Sequence, residues 1–226
     1  MSTQKFQKAG GFCAILLGFI YIIAFVVYGA LLDYPKTEAT DMEKLHFLSD
    51  NYLMLSAINL LSYVLFGILL AVLVVSIHQR IKDHSPNLSI LTSVFGVIWV
   101  GLVIASGMIA NIGLNSVIEI GINEPQKALS IWSSVGIVSE GLGGGNEIVG
   151  GVWVLLLSIT TFKYTFFSKQ VNILGLLVGL AGILTIIPFD IFTEIFGLSQ
   201  ILWFIWIGIA MIRKPKQTLD HKEISL

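Results

Sequence analysis

Six stretches of this chain are long and apolar enough to cross a lipid bilayer, and nothing else in the sequence limits its fold so strongly. They are Phe12–Leu32, Leu53–Ile77, Leu88–Gly113, about Gly143–Phe162, Val171–Phe189 and Phe196–Ile212. An α-helix needs roughly 20 apolar residues to traverse ~30 Å of hydrocarbon, and only helices and closed barrels satisfy their backbone polar groups there. The sequence therefore predicts an all-α polytopic membrane bundle of six transmembrane helices. Hydrophobic residues make up 55% and charged residues 12% of the chain, more apolar surface than a soluble domain buries. Residues 1–213 read as one transmembrane domain and 214–226 as a short charged tail. Lys5 and Lys8 precede the first stretch as in a signal peptide. That stretch outruns the ~7–15-residue signal core and lacks a small-x-small cleavage site, so we expect a retained span.

Orientation follows from the basic residues, because short cytoplasmic loops carry an excess of Lys and Arg. With six spans, one side holds Lys5, Lys8, Arg80, Lys82, Lys163, Lys169, Arg213, Lys214, Lys216 and Lys222, and the other only Lys36, Lys44 and Lys127. The expectation is a multi-pass protein of the cell membrane with both termini cytoplasmic. The lipid bilayer is its first partner. A net charge of −1 gives no reason to expect nucleic acid.

Apolar character runs without pause from Leu129 to Phe162, too far for one straight crossing at ~1.5 Å per residue. Gly141, Gly143, Gly144 and Gly145 write the interruption, so a glycine-broken segment is expected before the fourth helix. Residues 126–139 then form an outer or re-entrant segment. Elsewhere, Ser85-Pro86 marks the start of the third span and Thr40-Asp41-Met42-Glu43 reads as a capping box. That box opens a helix along the outer interface, or an extension of span two. Pro188 should bend or end the fifth helix just before Asp190.

Ionisable groups in hydrocarbon are costly and turn toward protein interiors or wet cavities. Asp33, Glu119, Glu140, Glu147, Asp190 and Glu194 all fall near the outer leaflet, with Asn111, Asn115 and Asn146. Asn111, Asn115 and Glu119 are four apart and share a helical face. Backbone breaks in membranes line cavities or binding sites. Asn111, Asn115, Glu119, Glu140, Asn146, Glu147 and Trp153 are accordingly the candidate ligand-binding residues. The competing reading is a tight turn in which Asn146 starts a helix and the helix dipole favours Glu147. Trp99, Trp153, Trp203 and Trp206 lie deep in their spans, as core packing or as an aromatic wall.

Several chemistries find no residues here. Cys13 is the only cysteine, so no internal disulfide forms. His46, His78, His84 and His221 are not at metal-site spacing on one helix face, and there is no catalytic metal set, nucleophile elbow or P-loop. No cofactor is implied. Gly175, Gly179 and Gly182, and Gly11, Ala14 and Gly18, make smooth faces that either pack within the bundle or form a seam with a partner or second copy.

The runs Gly144-Gly145-Asn146-Glu147-Ile148-Val149-Gly150-Gly151-Val152-Trp153 and Phe196-Gly197-Leu198-Ser199-Gln200-Ile201-Leu202-Trp203-Phe204 resemble a family of small bacterial membrane proteins classed as a domain of unknown function. The resemblance implies a bacterial cell membrane and a six-helix bundle, and no activity. Three functions remain open at this point. One is binding or transport of a small ligand or cation through the outer-leaflet pocket. The second is an accessory or assembly subunit of a membrane complex, and the third a lipid-directed enzyme using Glu147 or Glu140 as acid/base.

Overall fold

A computed structural model describes residues 3–144, 147–187 and 189–213, and every regular element in it is helical. Helix α1 (Thr3–Val26) continues into a π turn at Val27–Leu31. Short α2 (Asp41–Asp50) follows, then α3 (Tyr52–Asn59), a second π turn (Leu60–Leu65) and α4 (Phe66–Ile81), which together form one rod. Next come α5 (Pro86–Gly121), α6 (Pro125–Ser139), a kinked turn (Glu140–Gly144), α7 (Ile148–Lys163), α8 (Lys169–Leu184) and α9 (Asp190–Ile212).

Among the described residues, five helical segments are long and apolar enough to cross a membrane: Gln4–Leu31, Tyr52–Ile81, Pro86–Gly121, Pro125–Lys163 and Ile191–Ile212. The fifth apolar stretch of the sequence becomes α8, a shorter helix of 16 residues. The helical membrane bundle expected from hydropathy is therefore what forms, with five long segments and one shorter apolar helix among the described residues. Pro188 lies outside the described residues, as do Asn146 and the tail from 214.

The glycine break is present. Gly143 has φ 119° and ψ 20°, a conformation that L side chains rarely adopt, and it interrupts the helix between α6 and α7. Upstream of it α6 runs back along α5. Gly113 lies against Val135, and the Ser106 hydroxyl donates to the Ser139 carbonyl at 2.9 Å. Downstream, α7 packs on the other half of α5, with Gly96 against Trp153 and Gly150 against Trp99. The two halves of the broken segment thus follow a single long partner, whose 36 residues extend about 54 Å.

We call the end that carries the start of α1 proximal and the opposite end distal. Two cores follow this division. The main one fills the bundle with Phe66, Leu70, Leu73, Trp99, Trp153, Leu157, Trp203 and Phe204. A smaller distal core joins Leu45 and Leu48 of α2 to Leu114 and Val117 of α5 and Ala128 of α6. The Thr40–Glu43 capping box starts α2 as expected, and its apolar stripe faces this cap.

Without a hydrophobic drive between helices in lipid, close backbone approach supplies much of the association. The glycine faces do this inside the chain. Gly151 of α7 meets Gly179 and Gly182 of α8, and Gly11 of α1 meets Gly208 of α9. Outward faces carry exposed apolar residues such as Phe12, Phe19, Val97, Leu177 and Leu202.

Candidate functional site

The break at Gly143 delivers Glu147 to the residue just before α7, where its carbonyl accepts from Gly151 N–H at 2.7 Å. Its backbone N–H donates to the Thr185 hydroxyl at 2.9 Å, which in turn donates to the Gly182 carbonyl at 2.7 Å. This chain ties the start of α7 to the end of α8. The side chain does not cap its own helix. It is 9% exposed, and Oε2 has no hydrogen-bond partner. The indole of Trp99 interacts with the same carboxyl, although its Nε1 falls outside hydrogen-bond geometry and is also without a partner.

The Glu147 side chain lines a half-open cavity of ≈ 350 Å³ between α1, the second π turn and the start of α9. Aromatic rings dominate its wall: Tyr21, Phe25 and Tyr28 from α1 and its π turn, Tyr63 from the second π turn, Phe66 from α4, and Phe196 from α9. Beneath them Phe66 sits edge-on to Tyr21 at 5.5 Å and to Trp99 at 5.9 Å between ring centroids. Ser62 and Thr193 add hydroxyls, and among the described residues no Lys, Arg or His lines the space. The exposed rim includes Phe25 and Gly29, next to the outward-facing Ile22, Ile23 and Val26.

A second cavity of ≈ 450 Å³ lies on the distal side, under α2 and α6. It takes in Tyr34, Lys44, Phe47, Trp132 and Glu140. Tyr28 and Tyr63 line both cavities, so they stand between them, and the Tyr28 hydroxyl donates to Asn59 Oδ1 at 2.9 Å. π turns are rare and recur at functional sites, because the extra residue per turn re-aims side chains and loosens the backbone ladder. Both π turns among the described residues contribute here, Tyr28 and Gly29 from the first and Ser62 and Tyr63 from the second, and the kink at Gly143 adds Glu140 and Gly143.

The structure disperses the residues singled out from the sequence. Glu147 is in the inner cavity and Glu140 in the distal one. Asn115 donates to Glu119 at 2.9 Å, as their spacing suggests, but both are exposed on α5 and line neither cavity. Asn111 turns instead to the Ser56 carbonyl at 3.5 Å. Trp153 is fully buried beneath Trp99, at a centroid distance of 5.6 Å, and belongs to the main core. Asn146 lies outside the described residues.

What sequence reasoning missed is the aromatic wall. Tyr21, Phe25 and Tyr28 do recur at i, i+4 and i+7, a face that periodicity could have exposed. Tyr63, Phe66 and Phe196 carry no such signal. Among the described residues, no group of three or more His, Cys, Asp or Glu side chains could hold a metal ion.

Fold and site together define a class: a helical membrane bundle with a half-open aromatic cavity and one buried carboxyl in its wall. In comparison with known proteins, no family model, curated protein or solved structure matches the chain.

Proposed function

We propose that this membrane protein binds a small ligand in the inner cavity and that Glu147 anchors it. One observation carries the reading: a carboxyl that is 9% exposed, with Oε2 unpartnered, lines a half-open space of ≈ 350 Å³. Leaving such an atom without a partner is expensive, by about 1–3 kcal/mol or more for a charged group. Folds retain that cost at sites where a ligand relieves it. The volume falls at the small end of the ~300–1,000 Å³ typical of ligand sites. The exposed apolar rim supports entry from the bilayer, and the tyrosines between the cavities mark a route for transfer toward the distal end.

The seam reading of the glycine faces has less support, because Gly11, Gly151, Gly179 and Gly182 are occupied within the chain. The binding reading is tested by filling the cavity. Ala24 lines it and is half-buried, so Ala24→Phe should abolish binding of small aromatic probes to the purified protein in nanodiscs. Unchanged binding in that variant would place the probes elsewhere.

We further propose that the proximal end faces the cytoplasm of a bacterial cell membrane, on the strength of the basic residues gathered there and the resemblance noted above. Reporters fused after Lys82 and Lys169 should both read cytoplasmic, and labels near Lys36 and Lys127 should be reachable from outside. An outside signal at Lys169 would contradict this orientation.

A further inference from the structure

We propose that the ligand of the inner cavity is a lipophilic organic monocation, a quaternary or protonated amine with an aromatic or alkyl body. Its charge rests against Glu147, and its body against the rings of Tyr21, Tyr63, Phe66 and Phe196. The inference rests on the binding reading above and adds the chemical class.

Charge is the first argument. Among the described residues the cavity wall carries one carboxyl and no basic side chain, and the one ion pair is Lys127–Glu124, on the exposed surface. Among the described residues Glu147 thus has no internal counter-charge, and its buried Oε2 has no hydrogen-bond partner, the neutral Trp99 indole beside it falling outside hydrogen-bond geometry. A ligand that brings a positive charge supplies what the fold omits, whereas an anion would meet repulsion in a poorly screened space.

The wall decides what kind of cation. Aromatic faces attract cations through the ring quadrupole, most strongly when water is excluded. Hard metal ions instead require about six or more oxygen ligands and a regular geometry. One carboxyl and a few hydroxyls among six aromatic residues cannot replace the hydration shell of such an ion. An alkylammonium gives up far less hydration, and its methyl or methylene groups gain contact with the rings.

Access agrees with both arguments. The rim at Phe25 and Gly29 adjoins the outward apolar face of α1, so the ligand arrives by partitioning into the membrane. That favours an amphipathic body over a small hydrated ion.

The test compares isosteres on the full-length protein in nanodiscs, with empty nanodiscs subtracted. Benzyltrimethylammonium is the cation, neopentylbenzene its neutral isostere and phenylmethanesulfonate the anionic control. We expect the cation to bind about tenfold or more tightly than the neutral isostere, and the sulfonate not to bind. In Glu147→Gln the cation should lose about tenfold while the neutral isostere is unchanged. The wild-type comparison holds even if that variant folds poorly. Equal binding of cation and neutral isostere would overturn the cation class and leave the binding reading standing. Preferred binding of the sulfonate would do the same. No binding by any of the three probes would overturn both.

Discussion

The α7–α8 contact sets where Glu147 lies, and a single methyl group can probe it. In Gly151→Ala the added Cβ would fall 2.7 Å from Ile183 N, 2.8 Å from Gly179 O and 2.8 Å from the Gly182 carbonyl carbon. All three atoms are α8 backbone, so no side chain can swing aside. Ordinary contact begins at 3.4 Å, hence the helices must part by 3.4 − 2.7 = 0.7 Å, or the methyl must be accommodated by strain. Overpacking of this kind costs about 1–3 kcal/mol. Alanine also gains about 1 kcal/mol of helix propensity over glycine, so the raw effect would understate the clash. Gly101→Ala provides the correction, since it is helical and its Cβ would meet nothing within 4 Å. The difference between the two variants isolates packing. At a few degrees per kcal/mol for a chain of this size, Gly151→Ala should melt roughly 2–10 °C below Gly101→Ala. Unfolding of the detergent-solubilised protein, followed by tryptophan fluorescence, reads this directly. Melting of the two variants within 1 °C of each other would refute the backbone-on-backbone contact. The same displacement should strain the bond from Glu147 N–H to Thr185 and weaken cation binding in the cavity.

Thr185→Val keeps the shape and removes the acceptor for the buried Glu147 N–H, with an expected loss of about 1–3 kcal/mol; a Tm equal to wild type would show that another acceptor takes over. Gly143→Ala places a methyl group on a residue at φ 119° and should cost about 1–2 kcal/mol. Gly141→Ala, just past the end of α6 at Ser139 and facing open space, should be close to neutral, and equal effects of the two would show that the break does not need Gly143. The capping box predicts a pH dependence confined to α2. Hydrogen bonds from the Thr40 backbone N–H and hydroxyl hold the Glu43 carboxyl below its ordinary value. A depressed folded-state value means that its contribution is complete above about pH 4.3, the unfolded value, and is lost as pH falls through the folded one. Hydrogen exchange in α2, corrected for its intrinsic pH dependence, should accelerate on acidification in wild type and much less in Glu43→Gln; identical profiles would remove the role assigned to the carboxylate.

Local signals in the sequence determined the helices. Apolar length marks the crossing segments, Pro86 and the Thr40–Glu43 box mark starts, and clustered glycines mark the break, because each acts within a turn or two of its own position. Glu147 was also legible, as an acid beside a backbone interruption deep in an apolar run. The company it keeps was decided only by tertiary structure. In lipid both the packed and the outward faces of a helix are apolar, so hydropathy does not tell which side chains meet. Asn115 and Glu119 share a face with Asn111 by spacing, yet that part of α5 extends into the distal cap, away from Glu147. Tyr28 and Tyr63 reach the cavity from π turns, where the extra residue per turn shifts the register that a 3.6-residue period would assign. Phe196 arrives from α9, which closes on α1 through Gly11–Gly208 and Gly197–Phe25. A cavity drawn from five segments far apart in the chain depends on helix crossings and register. Those are set by the sum of many glycine-sized contacts, and no short stretch of sequence contains that sum.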